Sequence, residues 1–236
     1  MEKENMGDAS PRRRFLQTLA TGTAAIGMAS IAGPFQQLHA ETVNDFSMTA
    51  PPDEWFDKLN GKKHKMVFDA TGPHGIMPFA WPKVFMITNA ATGTPEKECG
   101  VVVVLRHDAI PYAMESSLWE KYHFGELFKA DDPLTKKPSV RNPFWKPKPG
   151  DFKIPGVGNV EIGINELQDN GVMFCVCNMA MTVYSNVAAG QMNMQASDVM
   201  AEWKKGILPG IEIVPSGVWA LGRAQEKGCA YCSVAP

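Results

Sequence analysis

The run Gly100-Val101-Val102-Val103-Val104-Leu105-Arg106 restricts the fold more than any other stretch of the chain. β-Branched side chains suit a pleated strand, and up to Leu105 neither alternating face carries a polar group, so both faces must be covered. A sheet with one wet side cannot supply that. Shorter apolar runs at 65–69, 172–177, 211–214 and 230–234 have the length and composition of four more strands. Between the five lie segments of helical period at 77–90 (interrupted by Pro82), 109–122, 160–170, 178–189, 197–207 and 216–227. Strands alternating with helices imply crossover connections, hence an α/β fold with a five-stranded, mainly parallel sheet and helices on both faces. Residues 131–158 break the rhythm: rich in Pro, Lys and Gly and without a period, they read as a long inserted surface loop.

The N-terminal residues have a different logic. Pro11-Arg12-Arg13-Arg14-Phe15-Leu16 precedes an uncharged Ala- and Gly-rich run over 18–35 and then Leu38-His39-Ala40, the basic, weakly apolar, small-residue plan of a cleavable export signal. The arginines with the following Phe and Leu resemble the twin-arginine consensus. The division expected is a twin-arginine signal peptide over 1–40, a linker and N-terminal segment over 41–61, and one α/β domain over 62–236. The protein should therefore work in the periplasm or another extracytoplasmic compartment, away from the membrane once the signal is removed.

With 23 Lys and Arg against 25 Asp and Glu, the chain lacks the basic surplus of a nucleic-acid binder. No Gly-x-Ser-x-Gly motif and no phosphate-cradling Gly-rich loop gives ground for a hydrolase or nucleotide-binding reading. Chemistry is therefore sought in sulfur. All five cysteines (Cys99, Cys175, Cys177, Cys229, Cys232) follow the signal, in a compartment that permits disulfides. An odd number leaves at least one thiol free in a monomer.

The segment from Gly171 to Tyr231 carries a Gly-Val-x-Phe-x-Val-Cys-x-x-Ala turn, then Leu208-Pro209-Gly210, Val214-Pro215-Ser216-Gly217-Val218, Arg223-Ala224-Gln225 and Gly228. It resembles the DsrE/DsrF-like family of sulfur-relay proteins. The resemblance implies a five-stranded α/β fold, assembly as a homo-oligomer, and a cysteine that exchanges sulfane sulfur with a sulfur-containing small molecule or a partner sulfur carrier. It implies no cofactor. Cys177 is the residue to which that role passes, because it ends one expected strand and begins a helix. There, unpaired N–H groups and the helix dipole favour thiolate over thiol.

Ligands of open parallel sheets bind beyond the carboxyl ends of the strands. His107, at the end of the most apolar strand, is the candidate to take a proton from Cys177 or to stabilise its thiolate. Arg106, on the opposite face, is expected to pair with Asp108 or Glu115. His74, Asn178 and Cys175 are further candidates on the same rim. Cys229 and Cys232 are three apart, so on a regular strand they face opposite sides; a disulfide from either to another strand, for instance to Cys99, is one expectation, and a redox pair another. Two rival functions remain open: an accessory subunit with structural disulfides, and a metalloprotein in which Cys175, Cys177, Cys229 and Cys232 together hold zinc or an iron–sulfur cluster.

Overall fold

A computed structural model describes residues 53–234; the export signal expected over 1–40 and the linker over 41–52 lie outside the described residues. Five strands form one sheet: β1 (His64–Ala70), β2 (Cys99–Leu105), β5 (Met173–Cys177), β6 (Ile211–Val214) and β7 (Ala230–Ser233). Their order is β6-β5-β2-β1-β7, and every neighbouring pair is parallel. A two-stranded antiparallel ribbon, β3 (Lys153–Ile154) with β4 (Gly158–Asn159), stands apart. The helices are α1 (Met77–Ala91), α2 (Ser116–Lys121), α3 (Phe124–Leu127), α4 (Ile164–Asp169), α5 (Asn178–Met192), α6 (Ala196–Lys205) and α7 (Gly217–Glu226). Among the described residues no helix is long and apolar enough to cross a membrane.

All seven residues of β2 are buried. Val101, Val103 and Leu105 face one core with α1, α4, α5 and α6, while Val102 and Val104 face a second with α7. The split follows from connectivity. From β1 through β2 and β5 to β6 the chain steps across the sheet in one direction, so crossovers of constant hand lay their helices on one face. The last crossover runs back from β6 past β1 to β7, and the same hand puts α7 on the other face.

The second face needs more cover than α7 provides. Residues Glu54–Leu59 form a 3₁₀ helix that buries Trp55, Phe56 and Leu59 there, so the folded part begins before Lys62. One other expectation is corrected and one is refined. The single helix over 109–122 is a 3₁₀ helix, His107–Ala113, followed by α2, with Met114 and Glu115 in extended conformation between them. Residues 131–158 lie mostly at the surface, as expected, but a few of them are anchored in the core. Phe144 is fully buried, with its ring centroid 4.1 Å from that of Phe79 and 5.1 Å from that of Phe152. Buried Asn142 anchors the segment by donating to the carbonyls of Tyr112 and Met114 at 2.8 and 2.9 Å, while its Oδ1 accepts from the Phe144 N–H.

Phe144→Ala should therefore cost about 3–5 kcal/mol in urea unfolding, as expected for a core aromatic, where a surface-loop residue would cost no more than about 0.5 kcal/mol.

Candidate functional site

The carboxyl edge of the sheet has one place where adjacent strands send their chains to opposite faces. β5 leads into α5 on one side and β6 leads into α7 on the other. In open α/β sheets such a divergence is the usual ligand position. Cys177 is the last residue of β5 and is paired in register with Val214, the last of β6. Its backbone is still extended while its Sγ accepts the N–H of Ala180 at 3.3 Å, so the sulfur caps α5. Ser216 caps α7 in the same way, accepting the Trp219 N–H at 3.2 Å. Cys177 retains 6% of its surface exposed and forms no disulfide.

A row of polar side chains crosses the same edge of the sheet over β2, β1 and β7, and the strand register explains it. Leu105 pairs with Val176, so Arg106 follows β2 beside the end of β5, while the Cys177 side chain packs in the core that holds Leu105 and Val176. Asp69 of β1 points to the same face as Val67, and so does Tyr231 of β7, which pairs with Val67. Arg106 donates through Nε and Nη2 to the two oxygens of Asp69 at 2.6 and 2.8 Å, a fork-to-fork pair. The Tyr231 hydroxyl donates to Asp69 Oδ2 at 2.8 Å. Asp69 is 2% exposed, and the Arg106 side chain 27%. The hydrogen bonds to Asp69 raise the Arg106 pKa further, and the bond to Asp69 raises that of Tyr231. Both donors therefore keep their protons. The Arg106 stem lies on Gly217, the first residue of α7: a Cβ added there would stand 2.6 Å from Arg106 Cβ.

The expectation that Arg106 pairs with Asp108 or Glu115 is thus corrected. An arginine ending β2 reaches sideways to the neighbouring strand, where the buried Asp69 carboxylate needs a counter-charge.

His107 turns away from this row. It adopts a left-handed backbone (φ 51°), its side chain is 63% exposed, and its Nδ1 stands 3.2 Å from Asp108 Oδ1. Its ring meets Tyr184 of α5 edge to face, and the Tyr184 hydroxyl donates to the same carboxylate oxygen. Among the described residues no hydrogen bond joins His107 to Cys177. His74, also left-handed (φ 34°), lines a separate cleft of about 660 Å³ with Lys129, Asp132, Lys136, Phe152 and Lys153. Asn178 is the first residue of α5, and its buried Oδ1 has no hydrogen-bond partner.

The other sulfurs are dispersed. All five cysteines are free thiols. Cys99 on β2 cannot reach Cys229 or Cys232, because β1 lies between β2 and β7; two strand spacings are roughly 10 Å, beyond the roughly 7 Å limit for bridged Cα atoms. The expected cross-strand disulfide is therefore ruled out. Cys229 faces the α7 core and Cys232 packs toward the opposite one, as expected for residues three apart. The four-thiolate metal centre fails on the same ground, since β5 and β7 are separated by both β2 and β1. Among the described residues no three His, Cys, Asp or Glu side chains gather as metal ligands. Burial raises the pKa of Cys99, Cys175 and Cys232, and pushes that of Cys229 up to about 11.

No protein-family model matches the chain, and no curated protein does. Among solved structures, a protein of unknown function from Methanobacterium thermoautotrophicum is similar at 17% identity and a TM-score of 0.34, over 72% of this chain and 99% of that one.

Two measurements test the site. Asp69→Ala should lower stability by about 3 kcal/mol, the low end for breaking a buried pair because Arg106 keeps some solvent contact, and Tyr231→Phe by about 1 kcal/mol. Iodoacetamide at about pH 8 should leave Cys175 and Cys229 unlabelled in the native protein and label both in urea, read by peptide mass mapping, because only thiolate reacts.

Proposed function

We propose that the protein is an extracytoplasmic sulfur carrier of the DsrE/DsrF-like type, which accepts sulfane sulfur on Cys177 and passes it on. The observation that carries this reading is the position of the Cys177 sulfur: it caps α5 with one backbone N–H at 3.3 Å, at the strand edge where the chain divides to both faces. A negatively charged sulfur is stabilised by that N–H and by the positive end of the helix. The carrier chemistry needs this state twice, first as the attacking thiolate and then as the persulfide anion.

The step is a displacement. The Cys177 thiolate attacks the sulfane sulfur of a donor, a new S–S bond forms to Cys177, the bond to the donor's carrier group breaks, and that group leaves with the electron pair. Transfer to an acceptor thiolate is the same displacement with Cys177 as leaving group. Neither step needs an oxidant or a metal. Among the described residues neither Arg106, whose guanidinium is turned to Asp69 of β1, nor the exposed His107 has a hydrogen bond to Cys177.

Incubated with inorganic polysulfide, the reduced full chain should gain the mass of one sulfur atom, located at Cys177 by peptide mapping and removed by dithiothreitol. Cys177→Ala should abolish the gain, whereas Cys232→Ala should leave it intact. Addition at Cys232 and none at Cys177 would end this assignment.

A further inference from the structure

The cleft of about 660 Å³ that His74 lines has the size of a site for a small organic molecule, and far more room than an inorganic ion needs. One wall is the loop that follows the carboxyl end of β1, a usual ligand position in parallel α/β sheets. The other wall comes from residues 129–153, and hydrogen bonds within that segment hold it in shape. Asp132 Oδ1 accepts the N–H groups of Leu134 and Thr135 at 2.8 and 3.2 Å, and its Oδ2 pairs with Arg141 at 3.1 Å. Buried Phe152 is stacked on Phe144.

Charge gathers around this cleft. Residues 129–153 hold six Lys and one Arg against three Asp, a net of +4 in a chain whose formal net charge is −2. Lys129, Lys136 and Lys153 line the cleft, and their ammonium groups have no hydrogen-bond or ion-pair partner among the described residues. Of the lining carboxylates, Asp132 is paired with Arg141 and Asp151 accepts the Lys148 N–H at 2.9 Å. Asp131 is left as one uncommitted acid against three uncommitted cations. The backbone points to the same place. Seven non-glycine residues among those described have a positive φ, and three of them, His74 (φ 34°), Lys129 (φ 51°) and Lys136 (φ 59°), line this cleft. A left-handed backbone is unfavourable for residues with side chains, and such strain concentrates at ligand sites.

We propose that the cleft binds a small organic carboxylate with an apolar body, its charge held by the three lysines and its body lying on Ile76, Leu134 and Phe152. Lysine suits this task, because its ammonium is a compact charge on a flexible stem. Leu134 is 48% exposed, and a bound apolar body would cover it. The site shares no residue with the Cys177 edge, so it stands or falls apart from the carrier reading.

The test titrates the full chain with phenylacetate, followed by ligand-observed NMR. Phenylacetamide lacks the charge of this probe and inorganic phosphate lacks its apolar body. Phenylacetate should bind with a Kd of about 1 mM or tighter, and the other two at least about fivefold more weakly. Combining Lys129→Gln with Lys136→Gln should weaken phenylacetate by about fivefold or more, and Leu134→Asp by about tenfold. All three side chains are exposed, so the fold should survive these changes. Lys146→Gln, at another left-handed lysine that lies outside the cleft lining, should change the affinity by no more than about twofold. The proposal is overturned if phenylacetate does not bind saturably, if phenylacetamide or phosphate binds as well, or if the Lys146 variant loses as much as the double variant.

Discussion

β2 has no side that tolerates water. Seven consecutive buried residues, with valines directed alternately into two cores, oblige the chain to build a layer on each side of one strand. Most of the architecture follows. Flanking β2 with parallel partners requires crossovers, constant crossover hand sends helices to one face while the chain advances, and only a reversal of direction covers the other. The reversal between β6 and β7 supplies α7. It also creates the divergence of β5 from β6, where Cys177 lies. That divergent edge is thus a by-product of covering both faces of a greasy strand.

The same constraint accounts for the one costly feature of the edge. A carboxylate near the end of β1 is buried because the sheet around it is buried, and an unpaired buried charge costs several kcal/mol. Arg106 and Tyr231 offset that cost from the strands on either side, so three strands are tied together at their carboxyl ends.

Much of this was legible in the residues. The five strands are where β-branched or apolar runs place them, because burial on both faces leaves an unbroken signature that needs no partner to interpret. Cys177 as a strand-ending helix cap was readable for the same local reason. The boundaries of 109–122 were not, since the extended pair Met114 and Glu115 breaks a helical period without disturbing the apolar spacing. The packed character of 131–158 was hidden too: Phe144, Phe152 and Asn142 are isolated in a polar, Pro-rich stretch, and their burial comes from elements distant in sequence. The pairing of Asp69 with Arg106 depends on register between strands, which a linear reading cannot supply. A signal was nevertheless present, an acid near the end of one expected strand and a base at the end of another.

Tyr231 belongs to the outermost strand, and its bond to Asp69 joins residues 162 positions apart. As the ribosome extends the chain, β1 and β2 can associate long before β7 exists, leaving the Asp69 carboxylate short of its third ligand. Closing that distance is entropically the most demanding contact of the network and comes last. Threading order therefore works as a timer: this edge of the sheet stiffens only when almost the whole polypeptide has emerged.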